Sequence, residues 1–255
     1  MGTLIKLEIR KMLFRKRMFI VWAGVLFLSF IAITDISIQE TYADMFNKAY
    51  GIVPLMGLMM FMMFSGAYTL EYSSNMAGLM KTTKNGKREI VLAKSVAAGV
   101  SASIINLSIF LTMCFSGLSK FHFGGLDLPL KSLWYFGKSG SDMTVLQMIL
   151  IMVVTIIIGS FFFAQVGLFL SSISKSAAVP FVFGGLIMGL PYIVDDFLQH
   201  GLVKYLGVTP LWGMMSCQLA RYKVSAITLL ILIAIYTAGF ILLPKFTLKA
   251  FIKEQ

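Results

Sequence analysis

The chain has 255 residues, of which 58% are hydrophobic and only 13% are charged, and its formal net charge is +11. A soluble globular domain has about 25% charged residues, and the interior of a fold of this length cannot bury so much apolar surface. The composition therefore excludes a water-soluble fold. We assign the apolar blocks to helices, because backbone groups in lipid must satisfy their own hydrogen bonds.

The first 17 residues combine basic and apolar side chains. Ile5, Ile9, Met12 and Leu13 recur at helical spacing while most of the Lys and Arg residues fall elsewhere, which predicts an amphipathic helix in the headgroup layer. The alternative is a plain basic anchor without a surface helix. The apolar run that follows is too long for a signal peptide and lacks a small-residue cleavage site, so we expect this segment to be retained.

Six apolar runs approach or reach the roughly 20 residues that cross about 30 Å of hydrocarbon. None shows the short alternating pattern of a barrel strand. We therefore predict an all-α, polytopic membrane protein that forms a single transmembrane domain over residues 1–255. The predicted spans are residues 18–36, 52–70, 95–118, 145–170, 177–194 and 226–243.

The distribution of charge predicts the orientation of these spans. If the N-terminus is cytoplasmic, most of the 22 Lys and Arg residues lie on the inside, and more of the acidic residues lie outside. The positive-inside rule then places both termini in the cytoplasm. The basic residues assigned to the outer side are Lys48, Lys120, Lys131, Lys138, Lys204, Arg221 and Lys223. We attribute the excess of Lys and Arg over acidic residues to membrane topology. We therefore expect the lipid bilayer, rather than nucleic acid, as a partner.

A polar, basic segment from Glu71 to Lys94 separates the second and third predicted spans. The other inner loop, residues 171–176, is too short to dock a cytoplasmic protein. Apolar residues at helical spacing predict a short helix that could enter a groove of a partner, and Asn-Gly predicts a turn. On pattern alone, a solvated basic hairpin that only sets topology is equally compatible. The residues concerned are Met76, Leu79, Met80, Asn85 and Gly86.

The predicted spans lack the side chains that other membrane functions need. Ion-coupled transporters place ionisable groups at membrane depth, and intramembrane hydrolases need a nucleophile with a base, paired carboxylates or a metal cluster. The segment Lys81 to Arg88 lacks the first glycine of a Walker motif. Cys114 and Cys217 are expected to stay unpaired, and a metal site has too few ligands. We expect no catalytic, cofactor or metal site in this chain.

Nine residues of the polar segment form a pattern that also occurs in a known protein family. They are Glu71, Met76, Leu79, Met80, Thr82, Thr83, Gly86, Arg88 and Lys94. The set resembles the loop between the second and third helices of ABC-2 type transporter permeases. There, a glutamate that ends one helix precedes a short helix, a Thr or Ser turn, a basic residue and a lysine that opens the next helix. Length, six spans and the basic N-terminal helix extend the resemblance over the whole chain. The Lys-Asn-Gly-Lys-Arg turn is similar to small peptide-exporting or self-protecting permeases of Gram-positive bacteria, although the usual proline is absent.

The resemblance implies a dimer with a second permease, identical or different, in the bacterial cytoplasmic membrane. It also implies an ATP-binding cassette subunit that binds ATP and Mg²⁺ and contacts the polar segment of each permease. ATP-driven closure would switch the cavity between inward and outward access. The implied contact residues are Met76, Leu79, Met80, Lys81, Thr82, Thr83, Lys84, Asn85, Gly86, Lys87 and Arg88, with Glu71 and Lys94 as the loop boundaries.

We therefore expect a permease that exports a peptide or another amphipathic or hydrophobic compound. The alternative is a non-transporting membrane sensor or assembly partner that docks a cytoplasmic protein through residues 71–94. Neither function requires this chain to be an enzyme.

Two outer segments are rich in apolar residues for loops. Residues 195–222 resemble the re-entrant helices at the outer gate of ABC-2 permeases, and the alternative is an interfacial segment with Trp212 in an aromatic belt. Residues 120–142 form either an outer lid or a headgroup-level loop. In the fifth span, Gly185 and Gly189 form a GxxxG pattern that serves either a dimer contact or packing within the chain.

Overall fold

The protein folds into a bundle of helices in the computed structural model. The structure describes residues 1–34, 36–73, 86–137, 139–198 and 202–253. Within these ranges, extended structure is limited to one bridge between Pro129 and Thr144. The helices are α1 (Gly2–Leu13), α2 (Lys16–Ile31), α3 (Ile38–Gly51), α4 (Val53–Phe64), α5 (Thr69–Ser73), α6 (Gly86–Ser119), α7 (Val145–Ser172), α8 (Ala178–Phe197), α9 (Pro210–Met214), α10 (Ser216–Arg221) and α11 (Ala226–Lys253), with 3-10 helices at Leu130–Ser132 and Val203–Val208.

Several of these helices have the length and apolar composition of membrane spans. The qualifying stretches are Ile38–Phe64, Lys87–Ser119, Val145–Ser172, Ala178–Asp195 and Ala226–Ile252. The prediction of an all-helical chain with the apolar helices of a multi-pass membrane protein is confirmed. The first predicted span, residues 18–36, corresponds to α2, whose 16 residues extend about 24 Å. Six crossings and the cytoplasmic placement of both termini stay predictions.

The residues before the second predicted span form a helix, α3, where the hydropathy pattern predicted an outer loop. Tyr42 and Phe46 of α3 are fully buried. The charged groups of α3 are neutralised locally, because Asp44 pairs with Lys48 at 2.8 Å and accepts hydrogen bonds from the N–H and hydroxyl of Thr34. Such charges interrupt the apolar pattern, so the second predicted span begins at residue 52, whereas the helical stretch with the composition of a span begins at Ile38.

Helices α6 and α7 pack against each other at the centre of the bundle. Ser95 donates a hydrogen bond to Gln165 at 3.1 Å, and Asn106 donates one to Ser160 at 2.9 Å. Interhelical hydrogen bonds in membranes contribute on average about 0.6 kcal/mol each. These two bonds, at different levels of the bundle, fix the register of the central pair.

The bundle has two chemically different ends. At the basic end lie α1, the starts of α2, α6 and α8, and the ends of α5, α7 and α11; Tyr72 donates a hydrogen bond to the Ser172 carbonyl there. At the opposite end, Lys120 donates to the Ile33 carbonyl. The described basic residues that gather at the basic end are Lys6, Arg10, Lys11, Arg15, Lys16, Arg17, Lys87, Arg88, Lys94, Lys175, Lys245 and Lys249. This alternation of helix ends is the one that the charge distribution predicted.

The segment between α8 and α11 folds back into the bundle. A Cβ atom added at Gly159, near the middle of α7, would lie 2.4 Å from Cβ of Met214 in α9. Tyr236 of α11 donates a hydrogen bond to the Pro210 carbonyl at 2.8 Å. Trp212 is fully buried, so it is not a lipid-facing belt residue. The geometry is that of a re-entrant segment that enters and leaves by the same end.

The other outer segment, residues 120–144, packs over α3. Leu133 and Phe136 are fully buried, and the rings of Phe136 and Phe46 meet edge to face with centroids 5.2 Å apart. The hydroxyl of Tyr42 donates to the Gly124 carbonyl. This segment is therefore a packed cap on the opposite end of the bundle rather than an extended loop.

Close packing of α8 uses Gly184 and not the GxxxG pair. A Cβ atom at Gly184 would lie 2.1 Å from the ring of Phe61, whereas Gly185 and Gly189 have no heavy atom within 4 Å of such a position. The GxxxG pair therefore does not serve packing within the described part of the chain. Its use in a dimer contact stays a prediction.

Two glycines inside helices provide a test of this packing. We expect Gly184→Ala to lower the free energy of unfolding by about 1–3 kcal/mol, because the added methyl group must displace a buried aromatic ring. Gly24→Ala in α2 is the matched control, because a Cβ atom at Gly24 would have no heavy atom within 4 Å. Thermal unfolding of both variants in the same detergent measures the difference. Equal melting temperatures would contradict the packing at Gly184.

Candidate coupling site

The predicted contact segment lies partly outside the described residues. Gly86, Lys87 and Arg88 form the first turn of α6, and Glu71 belongs to α5. The predicted contact residues outside the described part are Met76, Leu79, Met80, Lys81, Thr82, Thr83, Lys84 and Asn85. The described structure thus provides the two helix ends that flank residues 74–85, and the contact itself stays a prediction.

Lys94 lies within a helix instead of at its start. Helix α6 begins at Gly86, so Lys94 is about two turns inside it. Its side chain is only 2% exposed. Val91 and Ala98, about one turn away on either side, are also buried, so helical periodicity directs Lys94 into the bundle. The helix therefore starts before Lys94, and the role of Lys94 as the boundary of the loop stays a prediction.

The buried ammonium group of Lys94 joins three parts of the chain. Its Nζ atom lies 3.1 Å from Oε2 of Glu8 in α1 and donates a hydrogen bond to the Ala67 carbonyl at 2.8 Å. The same atom lies 5.2 Å from the centroid of the Tyr68 ring, within the range of a cation–π contact. We call Glu8, Ala67, Tyr68 and Lys94 the Lys94 cluster.

The chain between α4 and α5 provides the acceptor in this cluster. Helix α4 ends at Phe64 and α5 begins at Thr69, so Ala67 lies where carbonyl groups lack regular helical donors. The short side chains of Gly66 and Ala67 leave the backbone accessible to a long side chain from a neighbouring helix. The break between two apolar helices therefore provides a backbone ligand for a buried cation.

Glu8 is the anionic member of the cluster, and its side chain is only 5% exposed. It also pairs with Lys11 at 2.6 Å. Burial alone would raise the pKa of Glu8, but the ammonium groups of Lys94 and Lys11 outweigh this effect and lower its pKa below the ordinary value. The carboxyl group is therefore ionised at neutral pH, and the ammonium groups of Lys11 and Lys94 compensate its charge.

Aromatic and hydroxyl side chains extend the cluster to α7 and α11. The Tyr68 N–H donates to the hydroxyl of Ser171 at 3.1 Å. The Tyr68 ring lies 5.4 Å from the ring of Phe251 near the end of α11, between centroids, and Phe251 is fully buried. Four helices, α1, α6, α7 and α11, and the turn before α5 are thus connected, about two helical turns from the start of α6.

The cluster is suited to connecting helices mechanically. It contains one carboxylate and one ammonium group, already paired with each other, and no nucleophile. Elsewhere in the described ranges, no group of three His, Cys, Asp or Glu residues is arranged to hold a metal ion.

Sequence reasoning missed the pair of Glu8 and Lys94 because the two residues are 86 positions apart. One signal was present in the sequence. Glu8 lies one helical turn before Met12 and therefore on the apolar face of a basic helix, where a carboxylate needs a cationic partner.

Comparisons with models of protein families, with curated proteins and with solved structures produced no match. The resemblance of residues 71–94 to ABC-2 permeases therefore stays an expectation from the sequence.

The buried pair can be tested with a double-mutant cycle. We expect Lys94→Met to lower the free energy of unfolding by about 3–5 kcal/mol, because it leaves Glu8 buried without its main partner. Combining Glu8→Gln with Lys94→Met should recover part of that loss. Chemical unfolding in detergent gives all four corners of the cycle.

Lys11→Met is the matched control for this cycle. It removes an ammonium group from the same carboxylate, but Lys11 is 60% exposed, so the expected loss is below about 1 kcal/mol. Equal losses for Lys11→Met and Lys94→Met would contradict the assignment of Lys94 as the main partner.

The lowered pKa of Glu8 predicts a pH dependence. A carboxyl group with a lower pKa in the folded state contributes stability above its unfolded pKa, and this contribution disappears as the pH falls through the folded value. We expect the stability difference between the wild type and Glu8→Gln to be largest at neutral pH. It should shrink below about pH 4. Melting temperatures of both proteins from about pH 7 to pH 3 provide the measurement, and a constant difference would contradict it.

Proposed function

We propose that this chain is the permease subunit of an ABC transporter in the bacterial cytoplasmic membrane and exports a peptide or another amphipathic or hydrophobic compound. ATP is hydrolysed, with Mg²⁺, in a separate cytoplasmic subunit that docks on residues 76–88. The proposal rests on the resemblance of residues 71–94 and on one structural observation. The helices on either side of residues 74–85 are connected through the Lys94 cluster, because Lys94, about two turns inside α6, donates to the carbonyl of Ala67, just before α5.

This observation supports a route for mechanical coupling. A partner that moves residues 74–85 displaces the end of α5 and the start of α6. Lys94 attaches α6 to α1 through Glu8, and Tyr68 contacts Phe251 of α11. Separating a buried ion pair costs about 3–5 kcal/mol, so the connected helices move together more readily than they separate. The displacement is thereby passed to the rest of the bundle.

The opposite end of the bundle supports the same proposal. Residues 120–144 and 203–221 cover this end, and Met214 packs against Gly159 halfway along α7. An export route must open there, and the short helices α9 and α10 can move without unfolding a spanning helix. In alternating access, such a segment acts as the outer gate.

The proposal also includes a second permease that forms a dimer with this chain. The helices α8 and α11 are the least covered of the candidate spans, with only 17% and 11% of their apolar windows buried. Gly185 and Gly189 leave one side of α8 open to a close approach by another helix. We place the dimer contact on α8, with lipid covering the remaining apolar surface.

The docking segment can be tested by replacement. We expect an exchange of residues 82–87 for Gly and Ser, with Arg88 kept, to abolish co-purification with the partner ATP-binding cassette subunit. It should also abolish permease-dependent ATP hydrolysis, because the basic and polar contacts are removed while the Lys94 cluster stays intact. Pull-down and ATP turnover in nanodiscs are the measurements.

Cysteine cross-linking provides the control. Both native cysteines are buried, so Thr83→Cys introduces a thiol into the proposed docking segment and Asp127→Cys introduces an exposed thiol at the opposite end of the bundle. Only Thr83→Cys should cross-link to the ATPase subunit. Unchanged complex formation and ATP hydrolysis after the replacement would sink the docking assignment. A complex whose ATP hydrolysis is independent of the permease would favour the sensor or assembly function.

A further inference from the structure

A cleft with a basic mouth lies between α6, α7 and α11 at the basic end of the bundle. Its volume is about 530 Å³, and its lining includes Arg88, Leu92, Ser95, Gln165, Phe240 and Lys245. This volume falls within the range of about 300–1,000 Å³ for sites that bind small molecules. The cleft lies on another side of α6 from the Lys94 cluster and shares none of its residues.

Two cationic side chains from different helices stand at the mouth. Arg88 belongs to the first turns of α6 and Lys245 to the last third of α11, and both are exposed. Among the described side chains, no carboxylate forms an ion pair with either of them. Their charges are therefore available to an anion that enters the mouth of the cleft.

Polar groups lie deeper on the wall. Ser95 follows Arg88 by seven positions on the same face of α6, which places it about 10 Å further along the axis. Ser95 and Gln165 are both buried, with only 6% and 5% of their surfaces exposed. Ser95 donates to Oε1 of Gln165 at 3.1 Å, so the N–H groups of this amide stay available as donors within the described structure.

The remaining wall is apolar and includes Leu92 and Phe240. Pro244 also lines the cleft and lies inside α11. Proline has no N–H for the carbonyl of Phe240 and disturbs the helix at this point. This is a physical reason for the separation of α11 from α6 where the cleft opens.

We propose that this cleft binds an anionic phospholipid from the leaflet at the basic end. The order of chemistry along the cleft matches such a molecule: cations for the phosphate at the mouth, amide N–H groups for an ester carbonyl further in, and an apolar wall for an acyl chain. Basic pockets between membrane helices bind anionic headgroups in this way. A free phosphate ion uses the mouth but leaves the apolar wall uncovered.

The bound lipid bridges α6 and α11. Phe251 of α11 also packs on Tyr68 of the Lys94 cluster, so the lipid adds a second connection between α6 and α11 at the same end of the bundle. The lipid composition of the membrane thereby influences how tightly α11 is held, independently of any ATPase subunit.

Lipid titration of the purified full-length chain tests the site. Phosphatidylglycerol and phosphatidylcholine with identical acyl chains, and inorganic phosphate alone, are added to the protein in a neutral detergent. We expect phosphatidylglycerol to bind about 30-fold more tightly than phosphatidylcholine, since each cation contributes about 1 kcal/mol. Native mass spectrometry measures retention, and the shift of the melting temperature measures stabilisation. Inorganic phosphate should shift the melting temperature much less than phosphatidylglycerol does, because it leaves the apolar wall uncovered.

Charge-neutral variants identify the site. Arg88→Gln and Lys245→Gln should each weaken phosphatidylglycerol binding about fivefold and leave phosphatidylcholine binding unchanged. Lys175→Gln is the matched control, an exposed lysine at the same end that does not line the cleft. Melting temperatures without lipid confirm that the variants fold. Equal binding of the two lipids, a shift by inorganic phosphate as large as that by phosphatidylglycerol, or an equal effect of Lys175→Gln would overturn the proposal.

Discussion

A buried ion pair between Glu8 and Lys94 makes the N-terminal helix part of the bundle. Removing two charges from water costs several kcal/mol for each ion, and this cost is offset only when their remaining hydrogen bonds are satisfied. Here the Ala67 carbonyl provides a further hydrogen bond to Lys94, and Lys11 provides one to Glu8. Because α1, α6 and the turn between α4 and α5 must all be in place for that to happen, the pair fixes the geometry of the basic end.

The basic residues at this end have at least three different physical roles. Most are exposed, and their excess at one end of the bundle indicates the orientation of the chain in the membrane. Lys94 is buried and holds helices together from inside. Arg88 and Lys245 are exposed and line a cleft between helices. The same residue type thus acts as a topological signal, an internal link or a ligand contact, according to its depth and its neighbours.

The sequence predicted the parts of the fold that depend on local pattern. Uninterrupted apolar runs predicted α6, α7, α8 and α11, because a long apolar run is stable only in contact with lipid or the protein core. Helix α3 was missed, since Asp44 and Lys48 interrupt its apolar pattern and neutralise each other only in three dimensions. The pair of Glu8 and Lys94 was missed because no local pattern links residues 86 positions apart. The proposed docking segment was selected from its position and residues, and its contacts require the partner.

The returning segment formed by α9 and α10 has a topological consequence. A segment that enters and leaves by the same end does not count as a crossing, so it leaves the direction of every later helix unchanged. Helix α11 therefore runs back to the basic end, where Phe251 reaches Tyr68. Had residues 203–221 crossed to the other end, the parity of the chain would change, α11 would point the other way, and its last turns would be a full bundle length from the N-terminal helix.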